Sequence, residues 1–267
     1  MSVSSKSCIV TGAANGVGLA IARRLAEEGA RVVLADIDEE NLSKEVKALQ
    51  DDGLEAQAFC GDLRRKLNIA NLLSATIDAY DRVDILINAS RKVELCEPMD
   101  LTQDLLNEMF AENVSTNLRL TNAVAKKMIK QAEGQETDEH GIGSIVNLTS
   151  IASNRTLPAL SGFSVVSAAL DQMTRSLAVA YAQYGIRVNA IAIGSVKSAT
   201  LRDTLHDNKE LREMIIAATP AGRIGEADEA ADAAVFLASS KASFITGQIL
   251  TIDGGRSLID PLATPVY

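Results

Sequence analysis

Apolar runs bounded by turn residues recur along the chain at 7–12 (SCIVTG), 30–36 (ARVVLAD), 56–62 (AQAFCGD), 83–90 (VDILINAS), 143–150 (GSIVNLTS), 186–194 (IRVNAIAIG) and 248–255 (QILTIDGG). Short, nearly continuous runs of Val, Ile and Leu are the pattern of strands buried on both faces. Stretches with helical spacing separate them, so successive strands need crossover connections. The predicted fold is α/β: a doubly wound Rossmann fold whose parallel sheet of about seven strands carries helices on both faces. The first helix is read over 17–29, with Leu19, Ala22, Leu25 and Ala26 on one face and Gly29 as its stop. The polar stretch 131–141, QAEGQETDEHG, reads as a solvated loop that includes His140. No repeat or low-complexity linker divides the chain, and residues 1–267 read as one domain.

Composition narrows the core. Aromatic residues are 3% of the chain and Trp is absent, against 47% hydrophobic residues, so Ala, Val, Leu and Ile must fill it. A net charge of −9 without any cluster of Lys and Arg excludes nucleic acid as a partner, because phosphate neutralisation needs a basic surface. Cys8, Cys60 and Cys96 are an odd number without CxxC spacing; Cys8 and Cys60 sit in apolar runs and read as small buried hydrophobes. No metal site is expected. A charged leader before a long apolar stretch is missing, as is any run of 18 apolar residues. The expected location is therefore a reducing cytoplasm, away from membranes.

The first run is followed at once by TGAANGVG, residues 11–18, which opens the first helix. Gly12, Gly16 and Gly18 let the backbone turn and approach a pyrophosphate, which then meets the helix N–H groups and the positive end of the dipole. Asp36 closes the second strand, eighteen residues beyond Gly18. A carboxylate there accepts hydrogen bonds from a ribose diol and repels a 2′-phosphate, so NAD is preferred over NADP. The competing reading makes Asp36 only a cap for the following helix.

With these residues placed, the chain resembles the short-chain dehydrogenase/reductase family over practically its whole length. The marks are TGAANGVG, Asp62 in CGDL, INAS at 87–90, ENV at 112–114, IVNLTS ending at Ser150, YGIRVNAIAIG at 184–194 and the closing segment 222–255. The resemblance implies a cofactor site in which Gly12, Asn15, Gly16, Val17 and Gly18 meet the phosphates. Asp62 and Leu63 would hold the adenine, and Asn88, Ala89 and Ser90 would line the ribose side. The loop Ile193–Ser198, with Gly194, Val196 and Ser198, would meet the nicotinamide carboxamide; Ile193 replaces a usual proline and Ser198 a usual threonine.

The resemblance also implies hydride chemistry on a carbinol or carbonyl carbon, with an Asn, Ser, Tyr, Lys set moving the proton. Asn113 and Ser150 match the first two. The family's tyrosine and lysine positions hold Phe163 and Ser167. A phenol has a pKa near ~10 and serves near neutrality only beside a cation; Phe163 has no ionisable proton and Ser167 no charge. Loss of a general acid typically costs roughly 10² to 10⁴ in rate. Tyr181 and Tyr184 lie too far along the same helix to substitute. Arg91, Arg155, Lys197 and His206 are nearer in sequence to the site and read either as substitutes or as solvated surface groups. Ser150 either polarises a substrate oxygen or bonds local backbone, and Asn113 either holds water or merely shapes its helix.

Three functions stay open: an NAD-dependent oxidoreductase acting on a small carbonyl or alcohol substrate without the Tyr/Lys relay; an isomerase, dehydratase or cyclase on the same fold; and an NAD-binding pseudoenzyme or subunit. Residues 164–183 are apolar or small on more than one face, as expected of a helix that also meets a second copy in a homodimer or tetramer. Residues 196–215 are expected to form a substrate lid.

Overall fold

The central apolar runs become strands because alternate side chains have a helix layer to enter on either side. In the computed structural model, which describes residues 3–134, 141–197, 201, 205 and 208–260, the strands are β1 (Ser7–Thr11), β2 (Arg31–Asp36), β3 (Ala56–Cys60), β4 (Ile85–Asn88), β5 (Gly143–Ser150), β6 (Ile186–Ile193) and β7 (Ile249–Ile252). They form one parallel sheet in the order β3-β2-β1-β4-β5-β6-β7. The described helices are α1 (Gly16–Glu27), α2 (Glu39–Asp51), α3 (Lys66–Tyr80), α4 (Gln103–Phe110), α5 (Asn117–Ala132), α6 (Ser161–Ala182), α7 (Lys209–Ala217) and α8 (Ala227–Ala238).

The period of two in the central strands divides the core. Cys8 and Val10, Val32 and Leu34, Ile85 and Ile87, and Val146 and Leu148 face a layer made by α1, α2 and α8. Ile9, Val33, Leu86, Ile145 and Val188 face the opposite layer, made by α3, α5 and α6. Much of the first layer is alanine: Ala20, Ala22 and Ala26 of α1 and Ala230, Ala231 and Ala234 of α8 are buried, and these small side chains let helices approach closely. Arg187 of β6 is 8% exposed and donates to the carbonyls of Leu237, Ala238 and Ser239. A cation at the end of α8 thus ties that helix to the sheet. Burial pushes its pKa down to about 10, so it remains charged at neutral pH.

The outer strands depart from the expectation of burial on both faces. β3 is exposed over most of its length, and Cys60 at its end is exposed rather than buried. The reason is position: β3 pairs only with β2, and its outer side has no strand beside it among the described residues. Cys8, in the central β1, is fully buried, which pushes its thiol pKa well up. α4 and α5 are joined by one π-helical turn, Ala111–Thr116. Chain order reverses between β1 and β4, the strands on either side of the switch point, and this opens a crevice at the carboxyl ends of the strands.

Candidate functional site

A groove of about 700 Å³ occupies that crevice. Its floor is the turn from β1 into α1. Gly12 has φ +64°, and a Cβ there would fall 2.8 Å from Ser90 Cα. A Cβ on Gly18 would fall 2.1 Å from the Gly12 carbonyl oxygen, so no side chain fits where α1 leaves the strand. The Thr11 hydroxyl accepts from the N–H groups of Ala89 and Ser90, both at 3.1 Å, and locks the end of β1 to the end of β4. Asn15 is the N-cap of α1 but makes no side-chain cap bond, and the first turn has no acidic residue. That end of the helix keeps its positive potential for an anion. Asn15, Gly16, Val17 and Gly18 all line the groove.

Asp36 sits at the end of β2 and also lines the groove. Its carboxylate accepts from the N–H groups of Ala14 (3.0 Å), Ile37 (2.7 Å) and Asp38 (3.2 Å), which fix its orientation. The cap of α2 is Asp38, which accepts from Asn41, so capping does not account for Asp36. Asp62, Leu63 and Asp36 share an adjoining recess with Gly61, Ser90 and Thr116. Asp62 is held by a forked contact with Arg64 at 2.9 and 3.0 Å, and that guanidinium lowers its pKa.

The end of β4 separates two roles that the sequence suggested together. Ala89 and Ser90 line the groove, whereas Asn88 is fully buried and turns inward, donating to Thr121 Oγ1 (3.0 Å) and Asn147 Oδ1 (2.8 Å). Asn147 passes the chain on to Thr174 at 2.8 Å. The Asn88 side chain is therefore an interior strut and not part of the groove wall. Beyond Ser90 the loop is fixed by Asn113, whose Oδ1 accepts from Lys92 N–H (3.0 Å) and whose Nδ2 donates to the Lys92 and Met109 carbonyls, both at 2.9 Å. All of the Asn113 amide is thus spent on backbone. It anchors the loop and serves the π-helical turn, where Thr116 and Asn117 likewise donate to the carbonyls of Ala111 and Asn113.

At the far end of the groove, Ser150 closes β5. Its Oγ accepts from Ala152 N–H at 3.2 Å and lies 3.5 Å from the Ile193 carbonyl, so among the described residues its proton has only a long partner. Phe163, on the first turn of α6, walls the groove beside Ser150 and Leu160 and packs on Met109, Val114, Ala152 and Val166. Ser167, one turn further on, is buried, as is Asp171 after it. Burial raises the Asp171 pKa, with the Ser153 and Thr149 hydroxyls opposing. Gly194 and Val196 line the groove opposite; Ser198 and His206 lie outside the described residues, as does part of 196–215. Arg155 is exposed, Lys197 pairs with Glu226, and the Tyr181 hydroxyl donates to Asn122. Arg91 is different: it lines the groove half-buried. Sequence reasoning had no means of separating it from the exposed Arg155, since both follow strand ends.

Residues 12–257 match a family model described as enoyl-(acyl carrier protein) reductase. An uncharacterized oxidoreductase of Thermotoga maritima is 33% identical over 262 residues, covering 97% of this chain and 100% of the relative. Dehydrogenase/reductase SDR family member 4 of Oryctolagus cuniculus is 32% identical over 254 residues, covering 95% of this chain and 94% of the relative. Among solved structures, a gluconate 5-dehydrogenase of Burkholderia cenocepacia in complex with NADP and tartrate superposes with a TM-score of 0.86 at 27% identity, over 96% of this chain and 97% of that one. A 7α-hydroxysteroid dehydrogenase complexed with NADH and 7-oxo glycochenodeoxycholic acid gives a TM-score of 0.87 at 30% identity, over 95% of both chains.

Proposed function

The chain belongs to the short-chain dehydrogenase/reductase family, and from that premise we propose that it is an NAD-dependent oxidoreductase of a small carbonyl or alcohol, working without a tyrosine–lysine proton relay. The observation that carries this reading is one continuous groove lined by Gly12, Asp36, Ser150 and Phe163. Its residues fit a dinucleotide: the close approach at Gly12 and Gly18, the uncapped start of α1, and a carboxylate at Asp36 suited to a ribose diol. A nicotinamide held there supplies or takes up a hydride.

The chain's own part is to bind, orient and exclude water. Ser150 offers its proton to a substrate oxygen, since its only acceptor contact among the described residues is long. Phe163 shapes and dries the pocket and gives no proton. The substrate on this reading is already electrophilic or carries its own proton. Ala89, Ser90, Gly194 and Val196 complete the cofactor side. The reading includes a cytoplasmic location; among the described residues no helix is long and apolar enough to cross a membrane.

Titration calorimetry with NADH and NADPH tests it. Micromolar NADH binding with NADPH at least tenfold weaker is expected, since a 2′-phosphate would face the Asp36 carboxylate. Equal binding of the two removes the NAD preference, and binding of neither removes the function. A second reading, a non-redox enzyme or a cofactor-binding pseudoenzyme, is favoured by one observation: no described residue lining the groove is Tyr, His or Cys. Loss of NADH absorbance on single-turnover mixing with a panel of carbonyl compounds separates the readings.

A further inference from the structure

Arg91 stands out among the groove's charged residues. Asp36 accepts three backbone hydrogen bonds, Glu112 lies 3.9 Å from Arg64, and Lys92 is paired with Glu108 at 2.8 Å and Glu94 at 3.5 Å. Arg91 alone has no hydrogen-bond or ion-pair partner among the described residues. Its guanidinium nitrogens are not fully buried and have no partner among the described residues, so they are open to receive an anion entering the groove. Burial lowers its pKa, and no neighbouring charge opposes that shift.

The loop that carries it is not slack. Two hydrogen bonds from the Asn113 amide grip the next residue, Lys92, on both its N–H and its carbonyl, and the Lys92 ammonium is tied to α4 through Glu108. On its other side, Ser90 is fixed by Thr11. Arg91 is thus held between two anchored residues, as a binding residue must be to act at low entropic cost. The phosphates have their own donors at the start of α1. Arg91 lines the same groove as Ser150, Leu160 and Phe163, and the other charged residues of that lining, Asp36, Lys92 and Glu112, already have partners.

We infer that Arg91 is the anion-binding residue of the substrate pocket and that the substrate carries a carboxylate, received by the guanidinium in a forked, charge-assisted contact. This deepens the oxidoreductase reading and rests on it. The shared chemistry is an anionic oxygen pair, and the cofactor's phosphates are the other source of one.

The test titrates two pairs of compounds into the NADH-saturated protein, gluconate against sorbitol and octanoate against octanol. In each pair the members differ by a carboxylate in place of a hydroxymethyl group. In at least one pair the carboxylate is expected to bind the wild-type chain tenfold or more tightly than its alcohol. Arg91→Ala is expected to abolish that difference and Arg91→Lys to keep part of it, with NADH affinity within about twofold in both variants. Equal binding within both pairs overturns the inference, as does a carboxylate preference that survives Arg91→Ala. A tenfold loss of NADH affinity in Arg91→Ala, with carboxylates unaffected, assigns the residue to the cofactor's phosphates and also overturns it. Should NADH fail to bind the wild-type chain, the oxidoreductase reading fails, and the same pairs titrated into the cofactor-free protein still decide the role of Arg91.

Discussion

On the reading that Phe163 takes the place of a proton donor, its setting states what supplying one requires. The ring lines the groove, so an added hydroxyl has space on that side, while its other contacts are apolar. Ser167 is 3% exposed, and a lysine there would bring an ammonium into a buried place. That cost is offset in part by Asp171, four residues along the same helix, whose carboxyl burial holds above its usual range. The double variant Phe163→Tyr with Ser167→Lys is expected to fold and to reduce simple ketones with NADH about 10² to 10⁴ times faster than the wild-type chain, the usual worth of a general acid. Steady-state loss of nicotinamide absorbance measures it, and an unchanged rate would show a pocket rebuilt for other chemistry.

At the scale of the element, α8 shows how a helix end is stabilised by charge. Glu229 accepts from Glu226 N–H at 2.9 Å and takes both arms of Arg223 at 2.6 Å, which pulls its pKa down to about 2. Because the folded-state pKa lies below the unfolded one, the stabilisation is present above about pH 4.5 and fades as pH falls toward 2. Glu229→Gln is expected to cost about 1 kcal/mol at pH 7, a figure typical of a cap and discounted for exposure, and to cost less as the pH falls through that window. Thermal melts of both proteins at pH 7 and pH 3.5 check the convergence. The elements themselves were legible in the sequence: the apolar runs at 143–150 and 186–194 match β5 and β6 to within a residue. Pattern alone does not show which strands lie at the edge, and the apolar run around Cys60 therefore does not reveal that this residue is exposed. Nor does it show that Asn88 turns inward while its neighbour Ala89 faces the groove, because adjacent strand residues take opposite sides. The π-helical turn at Asn113 was legible only as a family habit, since its partners, the backbone groups of Lys92, come from a distant loop.

For the whole molecule, surface chemistry points to self-association. Val179 on α6 is 81% exposed, and Phe236 on α8, Phe244 and Leu250 of β7 are exposed as well. Exposed apolar residues on helices and an outer strand suit contact with second copies of the chain. Multi-angle light scattering is expected to give a dimer or tetramer of the 28.3 kDa protomer. A monomer across the micromolar range would leave these residues as scattered surface apolar groups.

The latch by which Thr11 holds Ala89 and Ser90 spans 78 and 79 residues of sequence, and it exists only once β1 and β4 lie side by side. The floor of the groove therefore depends on a contact between residues far apart in sequence, one that the unfolded chain does not hold. A dinucleotide that recognises only the native groove would stabilise the folded chain and leave the unfolded one untouched. NADH is expected to slow unfolding in urea in proportion to its occupancy and to leave the refolding rate unchanged, which stopped-flow measurements of both limbs would read. On that expectation a bound nucleotide would lengthen the life of each folded molecule.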